Sequence, residues 1–128
     1  STMTKNLLLL SKYFDKSEYE QMSWTQLNNV LESAVKTPMY YSNWLNVLDM
    51  HLHLNSELVI IGKDAVAFAK KINANFLPNV LITGSCKESR LPLCMDRYNS
   101  DKTLFYLCRN KACDLPEEDI QAILNKLR

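Results

Sequence analysis

The chain has 128 residues, 47% of them apolar, which is the length of one ordinary domain and enough to form a core. Only two glycines and four prolines argue against a β-sandwich or barrel, which need many tight turns. A formal net charge of +1 lacks the concentrated positive field that nucleic-acid or anionic-membrane binding needs, so we expect neither as a partner. The apolar run "LLLL" at 7–10 is too short for a membrane span.

Three helices are predicted in the first 54 residues. The first covers 3–14. Asp15 is expected to cap the start of the second, with Glu18 three positions on, as in a capping box. Thr37 and Pro38 predict the start of the third helix, which should end at residue 51 or 52. The inward faces have helical spacing and consist of Met3, Leu7, Leu10, Phe14, Trp24, Leu27, Leu31, Ala34, Tyr41, Trp44, Leu45, Leu48 and Leu52.

The pattern changes at Asn55. The runs "ELVIIG" and "PNVLIT" are typical of strands buried on both faces, and the helical segment "KDAVAFAKKINANF" separates them. Such a βαβ unit predicts parallel strands at about 57–62 and 79–84 with a right-handed crossover. A long loop, a third strand at about 103–108 and a closing helix with Pro116 near its first turn follow. Inward positions of the two helices are Ala65, Phe68, Ala69, Ile72, Phe76, Ile120, Ile123, Leu124 and Leu127.

The fold class is therefore mixed α and β. We expect a helical segment at 1–54, followed by a small α/β unit at 55–128 packed on it, with a mostly parallel three-stranded sheet and a closing helix. The three leading helices carry more apolar surface than the α/β half can cover. We therefore expect either a homodimer or an exposed apolar patch around residues 7–10.

The series of segments resembles the C-terminal end of a family of thioredoxin-domain-containing proteins, the YyaL-like bacterial proteins and the spermatogenesis-associated thioredoxin-like protein of animals. The segment "TLFYLCRNKACDLPEEDIQAIL" carries most of the resemblance, with Cys108, Cys113 and Pro116 at the family's positions. The segments "NLLLLSKYFDKSEYEQMS", "TPMYYSNWLNVLDMHL", "ELVIIG", "NFLPNVLI" and "RLPLCMD" fit in the same order, so the resemblance covers nearly the whole chain.

The resemblance implies a longer parent with a thioredoxin-like domain and an α/α toroid similar to those of glycosidases and sugar epimerases. Residues 1–54 would be the end of that toroid. The chain opens inside a predicted helix, which also suggests that it was cut from a longer protein. The rest of the parent chain, with its thioredoxin-like domain and toroid, would then be the principal partner.

The main candidate site is the pair Cys108 and Cys113. Arg109 and Lys111 between them could favour a thiolate, and together with the missing domain the pair could act as a disulfide or a resolving thiol pair. The alternative is that Cys108 packs as a small hydrophobe at a strand end. Four cysteines are too sparse for a disulfide scaffold and point to a reduced, cytoplasmic protein. We therefore expect a strand end, a turn and two reduced thiols, although Asn110 could adopt the left-handed conformation of a reversal.

Other candidate sites have weaker patterns. Adding Cys86 and Cys94 to the pair fits no common zinc module, and His51 and His53 cannot share a helix face, so no metal site is predicted. Gly62 lies where a phosphate could bind, but the turn lacks G-x-G-x-x-G and Asp64 would repel an anion, so no cofactor is expected.

Residues suited to carbohydrate chemistry lie in the helical half. The carboxylates Asp15, Glu18, Glu32 and Asp49 and the aromatic residues Trp24, Tyr40, Tyr41 and Trp44 could serve a sugar-processing toroid. The positions of the carboxylates are typical of helix caps and solvated faces, and those of the aromatic residues favour packing between helices. We therefore expect a structural module without catalysis of its own. A redox role through Cys108 and Cys113 and a carbohydrate-processing or carbohydrate-binding role are the alternatives.

Overall fold

The structure is a computed structural model that describes residues 1–128. It contains five α-helices and a four-stranded sheet, in two compact units, Ser1–His53 (the helical unit) and Leu54–Arg128 (the α/β unit). The elements are α1 (Thr2–Phe14), α2 (Ser17–Lys36), a 3₁₀ turn (Pro38–Tyr40), α3 (Ser42–His53), β1 (Ser56–Ile61), α4 (Ala65–Asn73), β2 (Val80–Ser85), β3 (Leu104–Arg109), β4 (Ala112–Cys113) and α5 (Ile120–Leu127). The predicted class, mixed α and β with three leading helices and a closing helix, is confirmed.

A two-residue connection joins α1 to α2. Asp15 takes a left-handed conformation, φ 51°, and ends α1, so the prediction that it caps α2 is wrong. Aspartate is one of the few residues that tolerate this conformation, which a reversal this short requires. Lys16 occupies the N-cap position of α2 without a side-chain hydrogen bond.

Polar side chains lie in the core of the helical unit. Ser23 is fully buried on α2, and its hydroxyl donates to the carbonyl of Thr4 over 2.8 Å. The hydroxyl of Thr4 donates to Oε1 of Gln26 over 2.8 Å. Because these small polar groups are paired, α1 and α2 pack closely without an unsatisfied buried side chain.

The third helix starts later than predicted. Pro38 begins a 3₁₀ turn, and α3 begins only at Ser42. Thr37 does not cap it, because its hydroxyl instead donates to the carbonyl of Ser33 in α2 over 3.0 Å. Val47 is the buried residue of α3 and Leu52 is 60% exposed, so the inward face differs from the predicted one.

The sheet has the order β2-β1-β3-β4 and is mixed. β1 and β2 are parallel, as the βαβ pattern predicted. β3 runs antiparallel to β1, and β4 runs antiparallel to β3. The expectation of a mostly parallel three-stranded sheet is therefore wrong. β3 returns from a long loop, which imposes no crossover helix, and β4 carries no apolar pattern that could reveal it.

The two faces of this sheet have different covers. On one face α4 and α5 pack on a core of Leu58, Ile60, Ala65, Ile72, Phe105, Ile123 and Leu124. On the other face, the loop 86–103 brings Cys94, Leu91 and Leu93 onto Val59, Ile61, Tyr106 and Cys108. The cysteine pair therefore belongs to the face that a loop covers.

Two helix ends in the α/β unit differ from the prediction. α4 ends at Asn73, where the side-chain amide of Asn75 donates to the backbone carbonyls of Lys71 and Ile72. Phe76 lies beyond this end and is 91% exposed, so the prediction that it faces inward is wrong. α5 begins at Ile120, where the carboxylate of Asp119 accepts from the N–H of Gln121 over 3.0 Å.

Pro116 does not start the closing helix. It lies in the extended segment after β4, where Phe105 and Glu117 exchange backbone hydrogen bonds of 2.8 and 2.9 Å. Between the pairs Cys108–Cys113 and Phe105–Glu117, this outer segment has one more residue than β3, which is a β-bulge. The bulge accommodates a proline, which has no N–H for the ladder.

None of the helices combines the length and apolarity that crossing a membrane requires.

Candidate functional site

The predicted candidate pair lies in a tight hairpin between β3 and β4. Asn110 and Lys111 form its two-residue loop with φ angles of 50° and 65°, the pattern of a type I′ turn. Arg109 and Ala112 form the first pair beside the loop, and Cys108 and Cys113 form the next. A two-residue loop thus places residues five positions apart directly opposite each other.

Cys108 and Cys113 form a disulfide, with sulfurs 2.01 Å apart and Cα atoms 3.8 Å apart. The expectation of two reduced thiols is therefore wrong for this structure. That expectation gave more weight to the composition of the chain than to the possibility of a chain reversal. Asn110 does adopt the left-handed conformation that such a reversal needs. Cys86 and Cys94 are free thiols.

The two sulfur-bearing residues differ in exposure. Cys108 is fully buried in the cluster formed with Val59, Ile61 and Cys94. Cys113 lies on the edge strand and is exposed. A reagent from solution therefore reaches the disulfide from the side of Cys113, and Cys108 is the protected sulfur.

The guanidinium of Arg97 faces both sulfurs. Nη2 lies 3.2 Å from Sγ of Cys113, and Nη1 lies 3.5 Å from Sγ of Cys108. Arg97 is half-buried, and its guanidinium lies over the Tyr106 ring, 4.9 Å from the ring centre, within the range of a cation–π contact. A disulfide is a weak acceptor, whereas a thiolate carries a full negative charge. The same contacts would therefore be much stronger once the bond opens.

Sequence reasoning missed Arg97, because it lies in a loop without periodicity, eleven residues before Cys108. The contact between the loop 86–103 and the hairpin is visible only in the three-dimensional structure. The sequence contains one indirect signal for a cation at this place. Tyr106 lies two residues before Cys108 on β3, so its ring is on the same face of the sheet as the sulfur.

The other two cysteines do not extend this site into a metal centre. Burial raises the pKa of the Cys94 thiol, while a hydrogen bond with Thr83 and the charge of Arg97 act in the opposite direction. Cys86 is exposed after β2, at the rim of an apolar groove of about 460 Å³ between α4 and β2. No group of three His, Cys, Asp or Glu side chains is arranged to hold a metal ion.

At the turn after β1, Thr103 occupies the space beside Gly62 and Asp64 where a phosphate could otherwise bind. Gly62 has φ 142°, and a Cβ there would lie 2.5 Å from the Cα of Thr103. The hydroxyl of Thr103 accepts from the N–H of Asp64 over 3.3 Å. These contacts use the backbone donor that a phosphate would need at the start of α4.

The carboxylates of the helical unit lie in local contacts. Glu32 pairs with Lys36 over 2.6 Å, and Asp49 pairs with His53 over 2.8 Å, each within its own helix. Asp15 ends α1, and Glu18 lies in the first turn of α2. Two of the four carboxylates are thus paired with a basic side chain of the same helix, and the other two lie at the junction of α1 and α2.

The candidate aromatic residues differ in their exposure and contacts. Trp24 meets His51 edge to face, with ring centres 4.8 Å apart, and Tyr40 is 78% exposed on the 3₁₀ turn. Tyr41 and Trp44 are half-buried at the start of α3. One side of Trp24 is therefore used in packing between α2 and α3.

His51 forms a polar cluster that the sequence did not predict. Its Nε2 lies 2.9 Å from the hydroxyl of Ser23, which already donates to Thr4, so Nε2 is the donor. Burial lowers the pKa of His51 and nearby Lys12 adds to this, whereas Glu20 acts against it. The imidazole is therefore neutral near pH 7. The hydroxyl of Ser23 is fully buried and is occupied by these two hydrogen bonds.

Comparison with models of protein families, with curated proteins and with solved structures finds no match to this chain.

Proposed function

We propose that the Cys108–Cys113 disulfide is a thiol–disulfide exchange centre, in which Arg97 stabilises the thiolates of the open form. The observation that carries this proposal is the guanidinium within 3.2 and 3.5 Å of the two sulfurs. A purely structural disulfide has little use for a cation at that position. An exchange centre needs one, because each step of exchange releases a thiolate.

The two sulfurs have different roles. An incoming thiolate attacks the exposed Sγ of Cys113, a new S–S bond forms there, and the bond to Cys108 breaks. Cys108 leaves as a thiolate with Arg97 beside it. If the partner is a dithiol, its second thiolate attacks the sulfur that the partner contributed to the mixed disulfide. That step forms the partner's disulfide and releases Cys113 as a thiolate, so two electrons pass to this chain.

The partner in this proposal is a thioredoxin-like domain in a longer parent chain. The support is the resemblance to the thioredoxin-domain-containing family, in which a strand ending in Cys, a second Cys and a Pro follow in this order. Under the same proposal, the three helices are the end of an α/α toroid, and the α/β unit follows it. The chain alone then supplies a redox pair and not a complete enzyme.

The test compares two exposed thiols in one protein. After reduction, iodoacetamide at neutral pH should alkylate Cys113 about tenfold faster than Cys86, because about 1.4 kcal/mol of thiolate stabilisation raises the thiolate fraction tenfold. Cys86 is exposed and lacks a guanidinium contact, so it is an internal control. Arg97→Gln should bring Cys113 to the rate of Cys86, and Arg97→Lys should preserve part of the difference.

Equal alkylation of Cys113 and Cys86 in the parent protein, unaffected by Arg97→Gln, would contradict the exchange proposal. It would favour the second candidate, a structural module without chemistry of its own. That reading is supported by Cys108, which is fully buried in the core and ties the edge strand to it. Mass spectrometry of the mixed disulfide with a thioredoxin-like dithiol protein would test the partner separately.

A further inference from the structure

The groove between α4 and β2 is a second place in the α/β unit where a ligand can bind. We infer that it binds a small monocarboxylate with a linear hydrocarbon chain, the chain lying along α4 and the carboxylate beside Lys87. The inference goes beyond the exchange centre and does not depend on it. α4 packs on one face of the sheet, whereas Cys108 belongs to the cluster on the other face.

Small residues leave the groove open. Ala65 and Ala69 lie one helical turn apart on α4, and both line it. Gly84 pairs with Ile60, which is in the core under α4, so a side chain at position 84 would point toward the helix. With no side chain there, a volume of about 460 Å³ remains, and small-molecule sites have about 300–1,000 Å³.

The groove follows α4 along its length. Ala65 and Asn73 are both in the lining and are eight residues apart, which is about 12 Å along a helix. Val66 and Ala69 line the groove between these ends, and Ile82 of β2 lines it as well. Val66 is 57% exposed, so a hydrocarbon chain in the groove would cover apolar surface that now faces water.

Lys87 is the only charged residue among those that line the groove. The hydroxyl of Ser85 accepts from the N–H of Lys87 over 3.3 Å and donates to its carbonyl, which holds the backbone at this rim. Lys87 is exposed and has no ion-pair partner, whereas the lysines at 12, 36, 102 and 126 each have one. Its ammonium can therefore pair with the carboxylate of a ligand.

The start of α4 lies at the same end of the groove. The N–H of Gly62 donates to the carbonyl of Ser85 over 3.0 Å, which places the turn before α4 beside the residues that lead to Lys87. A helix N-terminus favours a negative charge. Asp64 at the N-cap position and Glu88 after Lys87 oppose this effect, but neither lines the groove. The preference for an anion is therefore expected to be modest.

The experiment titrates the full chain with octanoate (anionic), octanol (neutral) and octylammonium (cationic), which share the hydrocarbon chain and differ in the head group. Saturable NMR shifts of the methyl signals of Ala65, Ala69 and Ile82 report binding in the groove. Octanoate should bind about twofold to fivefold more tightly than octanol, the range that an exposed ion pair provides, and octylammonium should bind most weakly. Bound octanoate should also slow the alkylation of Cys86, which lines the same groove.

Two matched pairs of variants locate the ligand. Lys87→Gln should bring octanoate to the affinity of octanol, whereas Lys70→Gln, on α4 outside the groove lining, should keep the difference. Ala69→Leu should fill the groove and abolish binding of all three compounds, whereas Ala67→Leu adds the same volume at an exposed position of α4 and should not. Lys87 is exposed, so the first pair decides the question even if Ala69→Leu does not fold.

Three results would overturn the inference. They are groove methyls without saturable shifts, equal affinity for the three head groups, and binding that survives Ala69→Leu in the folded protein. Shifts of the same methyls with protein concentration alone would mean that a second copy of the chain occupies the groove, which would also overturn it. Arg97→Gln should change none of these affinities, so failure of the exchange centre and failure of this site are distinguishable.

Discussion

Reduction of the Cys108–Cys113 disulfide should lower the free energy of unfolding by about 2 kcal/mol and leave the protein folded. The bridge spans five positions, so it closes a loop of only about six residues. In the chain-entropy account, such a loop removes about 7 cal/mol/K from the unfolded chain, which is about 2 kcal/mol at 25 °C. Domains of this size have about 5–15 kcal/mol in total, so most of the stability should remain.

The contacts that hold the hairpin in the reduced state do not involve the sulfurs. β3 remains paired with β1 along its whole length, and Phe105 and Glu117 keep their two backbone bonds. Cys108 as a free thiol still fills its buried site, because a thiol packs as a small hydrophobe. The proposed exchange requires this, because the disulfide re-forms readily only if the hairpin keeps the two sulfurs close together after reduction.

Urea titrations of the oxidised and the reduced protein, followed by far-UV circular dichroism, measure the difference in unfolding free energy. Hydrogen exchange of β1 and β3 reports directly on the α/β unit. Cys113→Ser is the control, because it lacks the bridge and its stability should not respond to dithiothreitol. Loss of protection in β1 and β3 on reduction, or a loss of more than about 4 kcal/mol, would refute the reasoning.

Three further outcomes are expected. Because burial lowers the pKa of His51 below 6.5, the unfolded chain binds more protons as pH falls through 6.5. The helical unit should therefore be less stable at pH 5.5 than at pH 7.5, because His51 changes from neutral to charged over this range. His51→Gln should flatten the dependence of stability on pH, and an unchanged slope would contradict this. Lys111→Gly should raise stability by about 1 kcal/mol, since Lys111 has φ 65° and glycine suits that position of the turn; an unchanged urea midpoint would show that the strain is absent. Gly62→Ala should cost about 1–3 kcal/mol, because φ is 142° and the new methyl group meets Thr103; a thermal midpoint equal to that of the parent would contradict the packing described for this turn.

β1 was predictable because burial on both faces leaves a compact apolar run. β2 carries a similar run, but it is an edge strand in which only Leu81 is buried, so the prediction that this strand is buried on both faces is wrong. The run at 57–62 corresponds to β1, which is displaced by one residue, and its last four residues are buried. The parallel pairing followed from the helix between β1 and β2. β4 was not predictable in the same way, since Ala112 and Cys113 are both exposed and carry no apolar alternation.

The candidate site was half predictable. The pair Cys108 and Cys113 and the role of Asn110 are visible in the sequence, since a two-residue reversal pairs positions that are five apart. The bond between them was missed because the composition pointed to reduced thiols. Arg97 could not be found, because its contact depends on how an aperiodic loop packs on the sheet.

The bulge at Pro116 separates the hairpin from the closing helix. Beyond the bulge, the Phe105–Glu117 bridge anchors the chain independently before α5 begins. A change at the disulfide can therefore loosen Asn110 to Asp114 while Ile123 and Leu124 stay in the core. The short outer strand and the proline also leave little free edge for another chain to pair with. Opening of the disulfide is therefore expected to be a local event at this tip of the sheet, with the core of the α/β unit left in place.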